Sequence, residues 1–383
     1  MKVAMVITSY HPIVGGAERQ LAQLAGLMQA AGHHVTVITR HHAGLSLTER
    51  VDGVRVWRIP AFGPKPLRAL SFLIGAARAI KAERPDVVHC HSLFSPALAG
   101  VIGGAMAGVP VIAKPMCGGE ASEIAARPLG RLRMWLFRKR LARIVSISRE
   151  ITAEITGLGF APSQIAFIPN GVDAEKFHPL PPAAAAEKRR GLGLPDGVNF
   201  VFAGRFAAQK RVPMLLRAFT GMAASVPKAH LLIAGANRSA GSETSVGGED
   251  ETGVPAELLA HPQVKLLGQV NDMPALLAAA DAFVLPSARE GLSNALLEAC
   301  AAGLPAVAAR IGGTEDVIAD GENGLLFETE AELAECLRRL ATDDALRARL
   351  GPAARATVMS GYDIRQTAHK LLDLYRTLRG GRP

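Results

Sequence analysis

Short β-branched runs recur along the whole chain, each separated from the next by an Ala/Leu-rich stretch of helical length. That rhythm limits the fold more than any other feature. In the first half the runs are VAMVIT, VTVIT, VRVWRI, DVVHCH, VPVIAK, RIVSIS and IAFIPN; in the second they are NFVFAG, HLLIAG, VKLLG, AFVLPS, PAVAAR and GLLFE. Many are apolar on consecutive residues, which marks strands buried on both faces of a parallel sheet. Strand–helix alternation repeated in this way implies βαβ units and doubly wound α/β domains. A length of 383 residues suits about two to three such domains. Aromatic residues are only 5% of the chain, so the cores are expected to rest on Ala, Val, Leu and Ile. The last apolar-periodic stretch, 362–379, predicts a terminal helix.

The break between the halves is expected near 178–197, where prolines, an alanine run and a basic cluster resemble a linker. Residues 236–256 are Ser-, Gly- and Glu-rich without apolar period and read as an exposed loop. The uncharged stretch from Ser92 to Ala113 is long enough to span a bilayer, but it carries Pro96, Pro110 and four glycines. A small-residue helix followed by the strand VPVIA fits it better than a span. The four cysteines lack metal-site or disulfide-framework spacing, which points to a reducing, cytoplasmic setting. The start, MKVAMVITSY, is too short for a signal sequence and reads as a first buried strand. A net charge of +9 calls for an anionic partner. With few aromatics and no RNA-binding signature, small-ligand phosphates or an anionic membrane fit at least as well as nucleic acid.

Open α/β sheets bind ligands at the carboxyl ends of their strands, so the loops there carry the candidate chemistry. The first strand runs into GGAERQ (15–20), where two glycines before a helix let backbone N–H groups approach an anion; a tight turn explains the pair equally well. AGRFAAQKR places Arg205 and Lys210 after the first strand of the second half, two cations suited to a diphosphate. In PSAREGLSNALLEACAAGLP, Glu290 follows a strand and Glu298 lies eight residues on, within apolar neighbours. Positions i, i+4 and i+8 share one helical face, which puts Glu298 about two turns below the mouth, and GLSN between the two offers backbone N–H groups at a helix start, suited to phosphate. A carboxylate in such surroundings needs partners, either ligand hydroxyls or protein donors. DVVHCHS points His89 and His91 the same way at a strand end. A metal pair is conceivable there, but no third ligand is near and no Asp-x-Asp occurs. A strand-end histidine is as often structural as catalytic, and His91 is the better placed of the two.

GGAE (15–18), the HCH strand end, IPNGVD (168–173), GRFAAQK (204–210), EGLSNALLE (290–298) and GGTEDVI (312–318) come in the order found in glycosyltransferase family 4. The chain resembles that family over nearly its whole length. The resemblance implies the GT-B fold: two Rossmann-like domains facing a central cleft, one formed by 1–177 with 360–383 and the other by 178–359. It further implies a retaining transfer from a nucleoside-diphosphate sugar, with UDP the default base. No metal or other cofactor would be bound, and the acceptor would be a hydroxyl of a glycan or lipid-linked glycan. By similarity Arg205 and Lys210 neutralise the diphosphate, Glu290 holds donor-sugar hydroxyls and Glu298 the ribose, and His91 lies beside the donor sugar. Gly15, Gly16, Asn170, Gly291, Leu292 and Ser293 would contact the donor, and the loop at Val270 its base.

The chain departs from the family after its fifth run. Many relatives carry a histidine there in a Thr-x-His-like element, where this sequence reads AKPMCGGE with Lys114 and Gly118–Gly119. The difference bears on the acceptor more than on the donor. The basic segment 127–143, which includes Trp135 and Phe137, could rest weakly on anionic lipid, placing the protein on the cytoplasmic face of a membrane. A solvated helix explains it equally. An epimerase of the same fold and a nucleotide-sugar-binding protein without turnover are the competing readings.

Overall fold

A computed structural model describes residues 1–13, 15–235 and 255–380. The chain divides into two compact units, Met1–Asn170 with Ile364–Pro383, and Gly171–Asp363. Most of the polar segment 236–256 lies outside the described residues.

The first unit runs β1 (Lys2–Val6), α1 (Gly16–Ala30), β2 (His34–Arg40), β3 (Thr48–Val51), β4 (Val54–Ile59), α2 (Lys65–Glu83), β5 (Val87–His91), α3 (Ser95–Ala107), β6 (Val111–Lys114), α4 (Glu120–Ala126), α5 (Gly130–Arg140), β7 (Arg143–Ser146), α6 (Arg149–Gly157) and β8 (Ile165–Phe167). The second runs α7 (Pro182–Gly191), β9 (Val198–Ala203), α8 (Val212–Ala223), β10 (Ala229–Ala234), α9 (Ala256–Leu259), β11 (Val264–Gly268), α10 (Met273–Ala279), β12 (Ala282–Leu285), α11 (Asn294–Ala301), β13 (Ala306–Ala309), α12 (Gly312–Glu315), β14 (Leu325–Phe327), α13 (Glu330–Thr342) and α14 (Asp344–Gly361). Helix α15 (Ile364–Gly380) returns to the first unit.

The first sheet has the order β3-β4-β2-β1-β5-β6-β7-β8 and the second β11-β10-β9-β12-β13-β14. Every pairing is parallel except β3 with β4. Each sheet therefore has one switch point, where successive strands begin to add on the other side: between β1 and β5, and between β9 and β12. Right-handed crossovers put α2, α3, α4, α5 and α6 on one face of the first sheet, because each precedes a strand added in the same direction. Helix α1 leads the other way and lies on the opposite face, where it packs with α15. Leu21, Leu24 and Met28 of α1 share a core there with Ile364, Leu371 and Tyr375 of α15. The stretch read as a small-residue helix followed by a strand forms α3 and β6. Among the described residues no helix is long and apolar enough to cross a membrane.

All thirteen runs form strands. Strand β3 was not anticipated: its sequence TERV carries two charges, and its exposure alternates along an antiparallel edge, so it lacks the continuous apolar signal of a buried strand. The expected linker 178–197 is also corrected. Its alanine run folds as α7, and the first unit ends at Asn170, before the proline-rich stretch. Val172 lies in the second unit, bridged to Asp363 and donating its N–H to the Tyr362 carbonyl at 2.8 Å.

Candidate active site

At the switch point of the second sheet, the chain leaves β9 through Gly204 and Arg205, makes a short turn over Ala208–Lys210 and enters α8. Across the switch it leaves β12 through Pro286 to Glu290 and enters α11. The two loops are joined twice. Ala288 donates its N–H to the Gln209 carbonyl at 2.7 Å, and Lys210 Nζ meets Glu290 Oε1 at 2.5 Å. This ion pair is only 17% and 13% exposed on its two sides, so removing either partner strands the other in a weakly solvated position. Arg205 is exposed and forms no ion pair among the described residues. Beside the pair, the Ser287 hydroxyl is fully buried and finds no partner among the described residues.

Helix α11 starts at Asn294, with the Ser293 hydroxyl accepting from the Leu296 N–H at 3.3 Å. Glu290 is therefore in the loop, not on the helix. The expectation that Glu290 and Glu298 share one helical face is corrected, and Glu298 sits one turn inside α11 rather than two. It is 6% exposed and flanked by buried Leu297 and Ala299. The residues between, Gly291, Leu292 and Ser293, are buried. They are pressed against α12: a Cβ on Gly313 would lie 2.3 Å from the Gly291 carbonyl oxygen. Thr314 secures that turn, its buried hydroxyl donating to the Ala309 carbonyl. At the end of β10, Gly235 (φ +151°) passes so near the Gly204 carbonyl that a Cβ would meet it at 1.9 Å. Only glycine lets the strand ends crowd this closely. Val270 is half-buried beyond β11, two strands from β9.

The switch point of the first sheet is of another kind. After β1 the chain reaches Gly15 and Gly16 at the head of α1. The Gly15 N–H donates to Glu18 Oε2 at 2.9 Å, so this amide is committed to the protein's own carboxylate. Across the switch, β5 ends in His89 and His91, whose rings stack at 4.3 Å, as a period of two requires. Both are buried. His89 Nδ1 is hydrogen-bonded to the Tyr375 hydroxyl at 2.6 Å, and neither His89 Nε2 nor His91 Nε2 has a partner among the described residues. Burial, then Lys114, pushes His89 down to about 3. Burial, then His89 and Lys114, holds His91 well below the usual imidazole range. Both rings are neutral at pH 7.

Lys114 is in register with His91 on the next strand. It is buried, and its Nζ donates to Asn170 Oδ1 at 2.6 Å. Burial lowers its pKa to about 8. Next to it, Glu120 binds the two strand-end loops together: its carboxylate accepts from the Ser92 hydroxyl and the Leu93 N–H, each at 2.6 Å, and from the Met116 N–H at 2.7 Å. Ser92 is held at φ +108°, a conformation that costs a non-glycine residue about 1–3 kcal/mol. The roles of Glu120 and Ser287 and the Lys114–Asn170 bond were not anticipated. No motif spacing marks them, because each depends on a neighbour distant in sequence. A groove of about 430 Å³ lined by residues such as Val101, Val111 and Arg140 lies at the opposite strand ends, away from all these groups.

Comparisons with known proteins fit this arrangement. Residues 14–176 match the family model "Glycosyltransferase Family 4", and residues 185–357 match "Glycosyl transferases group 1". The D-inositol 3-phosphate glycosyltransferase of Saccharomonospora viridis is 30% identical, over 94% of this chain and 89% of that protein. The chain belongs to glycosyltransferase family 4. The UDP-Gal:alpha-D-GlcNAc-diphosphoundecaprenol alpha-1,3-galactosyltransferase of Escherichia coli is 27% identical, over 98% of this transferase and 97% of the relative. In fold, the transferase is similar to sucrose-phosphate synthase from Thermosynechococcus elongatus (TM-score 0.81, 22% identity, all of both chains). It is equally similar to Anabaena HepE in complex with UDP-glucose (TM-score 0.81, 20% identity, 98% of this chain and 100% of that one). The two α/β units are thus those of a GT-B nucleotide-sugar glycosyltransferase. The lysine of the AKPMCGGE loop is the one bonded to Asn170 of the IPNGVD motif.

Proposed function

We propose that the transferase moves a hexosyl group from a UDP-sugar to a hydroxyl of a glycan or lipid-linked glycan, with retention of anomeric configuration and without a metal. The observation that carries this reading is the Lys210–Glu290 pair at the switch point of the second sheet, with Arg205 exposed beside it. As the bond from the anomeric carbon to the diphosphate breaks, Arg205 and Lys210 take up the charge developing on the leaving group. Glu290 accepts hydrogen bonds from donor-sugar hydroxyls and Glu298 from the ribose. Backbone N–H groups of Gly291, Leu292 and Ser293 at the start of α11 face phosphate. Gly15 and Gly16 give the loop before α1 room at the phosphates, Asn170 contacts the donor, His91 contacts its sugar, and Val270 borders the base.

Glu290 is ion-paired and is therefore assigned no nucleophilic role. The acceptor oxygen bonds to the anomeric carbon on the face the diphosphate leaves, and the acceptor proton passes to a diphosphate oxygen. The products are the glycoside and UDP. The UDP preference draws on the E. coli relative's donor and on the UDP-glucose bound to HepE. The same relative's lipid-linked acceptor supports a lipid-linked glycan here, reached at the cytoplasmic face of a membrane with the basic segment 127–143 against anionic lipid.

The reading is tested by incubating the protein with UDP-glucose or UDP-galactose in EDTA, offering GlcNAc-diphosphoundecaprenol, inositol 3-phosphate or glycogen as acceptor. Release of UDP together with a product of the donor's anomeric configuration is expected. An inverted product, or activity abolished by EDTA and restored by Mg²⁺, would contradict it. Epimerisation of the sugar without UDP release would favour the epimerase, which none of the named relatives supports.

A further inference from the structure

The two imidazoles at the end of β5 are fixed in different ways. His89 is pinned by the Tyr375 hydroxyl. His91 is stacked on His89, but its Nε2 has no partner among the described residues. The aim of its ring is therefore set mainly by its backbone, and so by the residue that follows. That residue, Ser92, stands at φ +108°, where a side chain is strained and persists only if its surroundings over-determine it. Its bonds do so. The Ser92 N–H donates to the Lys114 carbonyl at 2.8 Å. Its hydroxyl donates to Glu120 Oε1 at 2.6 Å and accepts from the Phe94 N–H at 3.1 Å.

Glu120 is the charged member of this set. It is buried, a costly place for a carboxylate unless donors surround it. Its Oε1 also takes the Leu93 N–H at 2.6 Å, and its Oε2 takes the Met116 N–H at 2.7 Å. One side chain at the start of α4 thus ties the loop after β5 to the loop after β6. Glu154 of α6 offers a comparison. It accepts from the Gly119 and Ser122 N–H groups at 2.9 and 2.7 Å, and so braces the loop after β6 with no bond to the loop after β5. Both carboxylates serve the fold, but only Glu120 reaches the residue that aims His91.

We propose that Glu120 is a positioning residue for His91: by holding Ser92 at its positive φ, it fixes the last side chain of β5 against the donor sugar. This rests on the contact between His91 and the donor sugar proposed above. Without the carboxylate, Ser92 is free to relax to an ordinary negative φ. That relaxation turns the peptide next to His91 and takes the ring out of place, while the diphosphate contacts of the second unit are untouched.

The test is calorimetric titration of UDP-glucose, and separately of UDP, into wild type and variants. His91→Ala is expected to weaken UDP-glucose about fivefold, as loss of one neutral hydrogen bond does, and to leave UDP unchanged. Glu120→Ala is expected to reproduce that pattern, and the double variant to lose no more than either single one. Adding Ser92→Gly to Glu120→Ala should recover most of the loss, because glycine takes a positive φ without strain. Glu120→Gln, whose carbonyl still accepts from Ser92 and Leu93, should stay within about twofold of wild type. Glu154→Ala should lower the melting temperature and leave the two affinities in their wild-type ratio. If Glu120→Ala does not fold, Ser92→Ala, which removes only the hydroxyl link, is expected to show the same selective loss. Equal weakening of UDP and UDP-glucose by Glu120→Ala would overturn the proposal, as would additive losses in the double variant or no recovery with Ser92→Gly. A silent His91→Ala would overturn the donor-sugar contact and the proposal together, whereas a silent Glu120→Ala beside an impaired His91→Ala would overturn the proposal alone.

Discussion

The two units use one topology and fill its switch point in opposite ways. In the second, cations and a carboxylate meet in loops that water still reaches: Lys210 pairs with Glu290, and Arg205 is exposed. In the first, two neutral imidazoles and a lysine held by an amide lie buried in the sheet end. The fold supplies the position, whereas local burial keeps the two imidazoles neutral and lowers Lys114 towards neutrality. A site for a diphosphate needs the first kind, since fixed cations cost no reorganisation when charge develops. A neutral histidine beside a donor sugar, the role proposed for His91, needs the second.

The largest effect should come from breaking the charged site. Lys210→Ala and Glu290→Ala are each expected to reduce transfer roughly 10²- to 10³-fold, as loss of one preorganised charge partner does elsewhere, measured as UDP release. If the pair were only a structural bridge, the double variant would recover much of the activity; the account expects it to remain inactive. On the buried side, His89→Ala should act on stability. It strands the buried Tyr375 hydroxyl and opens a cavity, at a cost of about 2–4 kcal/mol in denaturant unfolding.

Acid should separate the two regions further. His89 and His91 are held below their ordinary pKa in the folded state, so below pH 6.5 the unfolded chain binds more protons. The stability they allow at neutral pH is lost as pH falls, by about 1.4 kcal/mol per pH unit for each ring. For His89 the loss levels off near its folded value of about 3. A His89→Phe variant should show a shallower acid slope. Lys114, lowered to about 8, acts in the other window: from there to its ordinary 10.5, stability rises with pH. The smallest effect concerns the close-packed loops. Gly313→Ala must push the Gly291 carbonyl away, at about 1–2 kcal/mol by analogy with overpacking in cores, with a few-fold loss of UDP-glucose affinity.

What could be read from the sequence follows from how local the signal is. Most of the thirteen strands announce themselves as apolar runs, although the edge strands β8 and β11 are only partly buried, and the strand ends and the loops after them are where Arg205, Lys210, Glu290 and His91 lie. The charged edge strand β3 gives no such signal. The i, i+8 spacing of Glu290 and Glu298 suggests one helical face, whereas Ser-Asn at 293–294 is a capping signal and α11 starts there. The Lys210–Glu290 pair, the Lys114–Asn170 bond and the Glu120 carboxylate join residues brought together only by strand order. Lys114 stood out in the sequence as a departure, but its burial and its partner came from the register of β5 with β6.

The most direct test of the central claim is calorimetric titration of UDP-glucose into wild-type protein and Lys210→Ala, both in EDTA. The account predicts binding by the wild type without metal, weakened by about tenfold or more in the variant while its melting profile stays close to the wild type's. Equal affinity in the two proteins, or wild-type binding that appears only when a divalent cation is added, would contradict it.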